Sequence, residues 1–168
     1  MNPGGLAIMS ATFVATCGLA LGGPAKPAPR LVYNPTASAP LGFYVVTPAT
    51  HLRRGELVVS RLPPEAAAIA DRRRYVPATV PVVKMIAAGR GARVCRRGRV
   101  VTVSGRPAAV ARERDSAGRV LPIWSGCHSL SAGQVLLLGG RADSFDGRYF
   151  GPTDAALILG QARPLWTW

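Results

Sequence analysis

The sequence predicts a mainly β domain with few short helices, preceded by one N-terminal transmembrane helix, and three observations carry that prediction. Of the 168 residues, those from Gly5 to Gly23 include no charged side chain. Beyond a Pro-rich link, short apolar runs with β-branched residues are punctuated by Gly and Pro, as strands are. One segment alone has the marks of a soluble helix. With 48% hydrophobic and 17% charged residues, the composition excludes a disordered chain. The length excludes a large multidomain enzyme.

At about 1.5 Å per residue the uncharged stretch reaches roughly 28 Å as a helix, close to the hydrocarbon core of a bilayer. Its Ala, Gly, Ser and Thr content makes insertion only modestly favourable, so a cleaved signal peptide or a buried helix is the alternative. Cys17, in VATC, loosely resembles a lipoprotein cleavage site, but Thr16 stands where a smaller residue is usual; it is read as a membrane-buried thiol. No Lys or Arg precedes the span, whereas Lys26 and Arg30 follow it. Charge alone would therefore keep the following domain cytoplasmic. GGPAKPAP, residues 22–29, cannot continue a helix. The chain thus divides into an anchor and linker, 1–29, and a folded domain, 30–168.

Within that domain GFYVVT (42–47), ELVVSRL (56–62), VPVVKMIAA (80–88), VVTVSG (100–105) and QVLLLGG (134–140) read as strands. PEAAAIADRRR (64–74) reads as the helix, with Pro and Glu in its first turn and arginines in its last. The net charge of +13 implies an anionic neighbour. Only Lys26 and Lys84 are lysines, and the excess is arginine. The charge is read as a basic surface facing lipid headgroups, with no direct nucleic-acid partner expected.

Cys95 and Cys127 have neither a CxxC spacing nor a histidine cluster around them, which gives a zinc site little support. They suit a disulfide if the domain is exported, and two buried thiols if it is not. His51 and His128 sit in no run that suggests a Ser-His-Asp triad and are read as surface or loop residues. NPTASAPLGFY (34–44) sets Ser38 among small residues between two prolines. A nucleophilic Ser38 would need a base, and Lys84 interrupts the apolar run VPVVKMIAA. Val82, Val83, Met85 and Ile86 would desolvate its amine and lower its pKa, leaving a neutral amine that accepts a proton. The pattern alone favours a strand lysine whose alternate face meets solvent. SFDGRYFGP, from Ser144, could be no more than a turn with an Asp–Arg pair.

Taken together and in order, NPTASAPLGFY, VVKMIAAGRGARVC, GRVLPIWSGC and SFDGRYFGP resemble the conjugative-transfer signal peptidases of the TraF type, within the signal peptidase I-like serine peptidases. The resemblance runs from Asn34 to near the end of the chain. It implies a signal peptidase I-like β-domain with Ser38 as nucleophile and Lys84 as general base. It implies an oxyanion hole from the Thr36 hydroxyl and the Ser38 N–H, a lysine-orienting Ser144, and a supporting ion pair of Asp146 and Arg148. No metal or organic cofactor is implied. Ala39 stands where general signal peptidases usually carry Met after the nucleophile, which favours the transfer type.

The expected protein is a single-pass endopeptidase of the inner membrane, its catalytic domain periplasmic. Its expected partners are an exported pilin or signal-peptide-bearing precursor, which it cleaves and in some relatives of this type cyclises, and membrane lipids. A general signal peptidase for secreted preproteins is the enzyme alternative. A basic, membrane-tethered structural or DNA-contacting component of a transfer apparatus is the non-enzyme one.

Overall fold

The computed structural model describes residues 30–168. The expected span, the linker and Cys17 lie outside the described residues. Among the described residues no helix is long and apolar enough to cross a membrane.

Eleven strands are described, β1 (Leu31–Asn34), β2 (Gly42–Thr47), β3 (Leu57–Ser60), β4 (Val82–Ala88), β5 (Arg93–Arg97), β6 (Val100–Val103), β7 (Arg106–Val110), β8 (Gly126–Ser129), β9 (Gln134–Leu138), β10 (Thr153–Asp154) and β11 (Ile158–Thr167). Two α-helices accompany them, α1 (Pro64–Arg72) and the single turn α2 (Gly147–Phe150), with a short 3-10 turn at Ala155–Leu157. The domain is mainly β, as expected.

A seven-stranded sheet runs β1-β2-β11-β3-β4-β9-β10 and a four-stranded sheet runs β7-β6-β5-β8, with all their pairings antiparallel. In β2 the side chains alternate inward and outward, Tyr44 and Val46 being buried. β9 is buried from Val135 to Leu138, because both of its faces are covered. A cluster of Ala87, Val94, Val101, Leu136 and Leu138 joins the two sheets, and Tyr44, Val46, Val59, Val83 and Ala162 form a second core. The last long strand, β11, is inserted between β2 and β3, so the end of the chain closes the middle of the large sheet.

Helix α1 ends two residues before the predicted boundary. Arg74 takes a left-handed φ of 58°, and Tyr75 N–H donates to Ala70 O, turning the chain away. Tyr75 then packs on Phe145 at a ring separation of 5.3 Å, and this tertiary contact overrides the helix propensity of the arginines.

Candidate active site

The loop between β1 and β2 carries Ser38, and one buried asparagine organises it. Asn34 Nδ2 donates to the carbonyls of Thr36 (2.8 Å), Ala39 (3.2 Å) and Pro40 (3.1 Å). Its Oδ1 accepts from Thr36 N–H (3.2 Å) and Thr36 Oγ1–H (2.9 Å). Tyr44 Oη donates to Pro40 O (2.7 Å), and Gly140 N–H donates to Ser38 O (2.7 Å). A loop otherwise short of backbone pairing is thereby held from within and from the β9 side.

Strand β4 brings Lys84 to this loop. Its side chain is only 3% exposed, while Met85 is 39% exposed on the opposite face. The buried register is the one adopted, but Met85 is no part of the apolar wall around the amine, contrary to expectation. Lys84 Nζ–H donates to Ser144 Oγ (2.6 Å) and lies 3.0 Å from Ser38 Oγ. Burial pulls the Lys84 pKa down to about 8; Arg148 adds to the lowering and Asp146 opposes it. A substantial neutral fraction near neutral pH follows, which an exposed lysine lacks.

Behind the amine, Asp146 and Arg148 form a buried pair. Arg148 Nε and Nη2 each donate to an Asp146 oxygen at 3.0 Å, and Nη2 also donates to Gly139 O (2.7 Å). Asp146 further accepts from Gly139 N–H (2.7 Å) and caps α2 through Arg148 N–H (3.0 Å). Every lone pair of this carboxylate that points inward has a donor, which offsets the cost of burying it. The pair fixes the Gly139–Gly140 turn and so the position of Ser144.

Gly139 is a functional position that sequence reasoning passed over. A Cβ there would lie 2.1 Å from Ser144 Oγ and 3.1 Å from Ser38 Cβ. Only a glycine leaves room here for both serine side chains to pack against the turn. The doubled glycine ending QVLLLGG was its sequence signal, and an Asn before Pro was that of Asn34.

Thr36 is beside Ser38, its Oγ1 3.3 Å from Ser38 Oγ, but its hydroxyl proton is given to Asn34 Oδ1. It must rotate to serve an oxyanion. Cys95 and Cys127 are bonded to each other and face directly across β5 and β8, in the smaller sheet. Neither lines the cavity beside Ser38. His51 and His128 are exposed, and neither lines that cavity.

Ser38 opens onto a cavity of about 340 Å³ whose apolar wall includes Leu62, Val76, Val82, Leu121 and Phe145. On its other side is a shallower hollow bounded by Pro40, Leu41, Gly140 and Trp168. A hydroxyl within reach of a buried amine, with room for a peptide on both sides, can carry out acyl transfer.

A mainly β domain that brings a serine hydroxyl within reach of a buried lysine amine has the groups that serine-peptidase chemistry requires. The chain belongs to the family described as signal peptidase, peptidase S26, whose family model it matches over residues 5–168. It is 32% identical over 147 residues to a plasmid transfer protein TraF of Escherichia coli, covering 80% of this chain and 82% of that one. It is also 32% identical over 145 residues to the conjugal transfer protein TraF of Agrobacterium fabrum, covering 80% of this chain and 81% of that one. A crystal structure of a signal peptidase I from Enterococcus faecalis aligns at 16% identity with a TM-score of 0.40, over 67% of this chain and 97% of that one.

Proposed function

We propose that this protein is a membrane-anchored serine endopeptidase that processes an exported pilin or transfer-protein precursor for conjugation, through a Ser38/Lys84 dyad. The observation that carries the reading is the buried amine of Lys84, held by Ser144 at 2.6 Å and 3.0 Å from the Ser38 hydroxyl. Similarity to proteins named for plasmid and conjugal transfer favours this substrate class over the secreted preproteins of a general signal peptidase.

In the forward step neutral Lys84 Nζ takes the Ser38 hydroxyl proton as Oγ attacks the scissile carbonyl. The Ser38 N–H, joined by a rotated Thr36 hydroxyl, stabilises the oxyanion. Collapse breaks the C–N bond, and Lys84 returns its proton to the departing amine. The Ser38 ester is then released by water, or by a peptide amine if the product is cyclised. Ser144 keeps the amine aimed at Ser38. Asp146 and Arg148 act at one remove, by holding the turn behind it.

A periplasmic catalytic domain at the inner membrane is part of the proposal. Supporting it is an exposed aromatic group on β1, β2 and β11: Tyr33 lies 5.1 Å from Phe43 and 6.4 Å from Trp168, and Trp166 is 6.2 Å from Trp168. Trp166 is 70% exposed. Such residues suit the headgroup level of a bilayer, and β1 begins at Leu31, one residue after the segment 1–29. The disulfide supports an oxidising compartment.

The test is to mix the full chain in detergent with a precursor peptide, quench in acid, and weigh the intact protein. A mass increase equal to the acyl portion, mapped to the peptide bearing Ser38, is the expected result. Turnover without any adduct on Ser38, in a variant slow to deacylate, contradicts the mechanism.

A further inference from the structure

The cavity beside Ser38 carries more positive charge than its own acids neutralise, and the imbalance is concentrated at two side chains. Four cations line it, Lys84, Arg112, Arg114 and Arg141, against two carboxylates, Asp115 and Asp143. Both carboxylates are occupied. Asp115 accepts from Tyr75 Oη and from Arg119 Nε (2.7 Å), and lies 3.6 Å from Arg73 Nη1. Asp143 accepts from Arg141 Nε and Nη2, each at 3.0 Å.

Among the described residues neither Arg112 nor Arg114 makes a direct ion pair; the bond to Arg141 holds the Asp143 carboxyl below its usual range, and Arg112 adds to that lowering only through space. The Arg112 backbone is fixed to the cavity wall, its N–H donating to Tyr149 Oη (3.0 Å), but its exposed guanidinium has no hydrogen bond or ion pair among the described residues. Arg114 uses Nη1 on Gly118 O (2.7 Å) and keeps its other donors unpaired among the described residues. The chain is basic throughout, so an arginine on a convex face needs no explanation. These two line a concave site with an apolar wall, where the field is focused and a guanidinium can form a two-pronged contact with a carboxylate.

We infer that Arg112 and Arg114 select a substrate with an acidic side chain near its cleavage site, whose carboxylate they bind while the apolar wall holds the neighbouring residues. The inference deepens the proposed function and rests on it for the word substrate, but the charge preference can be read without any chemistry. The free guanidinium of Arg112 supplies most of the preference, because it gives up no existing bond to bind.

The test uses the full chain in uncharged detergent and Ala-rich peptides in which a single Glu, Gln or Lys is moved one residue at a time around an Ala-Ala bond. Binding is followed by anisotropy to the Ser38→Ala protein, and cleavage by the parent in parallel. At one or two positions Glu should bind about three- to tenfold tighter than Gln, and the ratio should shrink as salt is raised. Arg112→Gln should bring the ratio close to one, Arg112→Lys should restore part of it, and Arg112→Glu should turn the preference toward Lys. The ratio is internal to each variant, and melting curves check that each is folded. A Glu-to-Gln ratio near one at every position, or one unchanged in the Arg112→Gln/Arg114→Gln double variant, overturns the inference. Charge-blind binding with normal cleavage removes the inference alone; charge-selective binding without cleavage supports it and removes the catalytic reading.

Discussion

Lys84 Nζ stands 3.0 Å from Ser38 Oγ, across a separation of 46 residues, because β4 presents a lysine inward at the level of the β1–β2 loop. With Lys84 only 3% exposed and its pKa drawn down to about 8, the contact is suited to proton transfer and not to a surface ion pair.

Activity should therefore follow the neutral fraction of Lys84. The rate constant kcat/KM is expected to rise roughly tenfold per pH unit on the acid side and to level off with a midpoint near 8. A pH series on a fixed peptide measures this. A profile still climbing through the ordinary lysine value of 10.5 would mean that the amine is not desolvated in solution.

The same shift has a consequence for stability. Folding lowers the Lys84 pKa from 10.5 to about 8, so its destabilising contribution is complete below pH 8 and fades as pH rises toward 10.5. The shift corresponds to about 3 kcal/mol. Against it stands the loss of Ser144's partner, about 1–3 kcal/mol. Lys84→Met should thus match or exceed the parent's Tm at pH 7, with its relative advantage shrinking at higher pH. A fall of more than about 5 °C at pH 7 would identify Lys84 as a stabilising structural residue.

Gly139→Ala should be far more damaging than its size suggests. The new methyl would meet Ser144 Cβ at 2.7 Å and Ser144 Oγ at 2.1 Å, displacing the group that aims Lys84. A loss of about tenfold to a hundredfold in kcat is expected, with a stability cost of about 1–3 kcal/mol. Gly140→Ala is the comparison, since its Cβ meets nothing nearer than 3.7 Å. Equal effects of the two substitutions would contradict the close-approach argument.

The Cys95–Cys127 bond closes a loop of sequence separation 32, and removing it should cost about 3–4 kcal/mol. Cys95→Ser/Cys127→Ser is expected to melt lower while keeping its turnover per folded molecule, because neither residue lines the cavity. Thermal denaturation beside active-site titration separates the two effects. An unchanged Tm would show that the bond does not constrain the domain.

Much of the large sheet was legible because its central strands are compact apolar runs: GFYVVT became β2 residue for residue, and QVLLLGG became β9 as far as Leu138, its two glycines turning out of the strand. The strands that escaped notice break that pattern. β5, Arg93–Arg97, is rich in arginine, yet Arg96 is buried because it donates to the carbonyls of Gly98 and Arg148 and ties the small sheet to α2. β11 contains Gly160 and Pro164, and its pairing with both β2 and β3 depends on partners more than a hundred residues away in places. The site was legible as residue types in order. Its geometry was not, because the burial of Lys84 depends on a register that an apolar run leaves open, and the roles of Asn34 and Gly139 exist only in the closed loop.

The most direct test of the central claim is kcat/KM for Ser38→Ala, Lys84→Ala and the double variant on one precursor peptide, with folding verified for each. Nucleophile and base acting on one proton should fail as a unit: each single variant should lose roughly 10³-fold or more, and the double variant should be no worse than either. Retention of more than about a tenth of parental activity by either single variant, or losses that multiply in the double variant, would contradict the Ser38/Lys84 dyad.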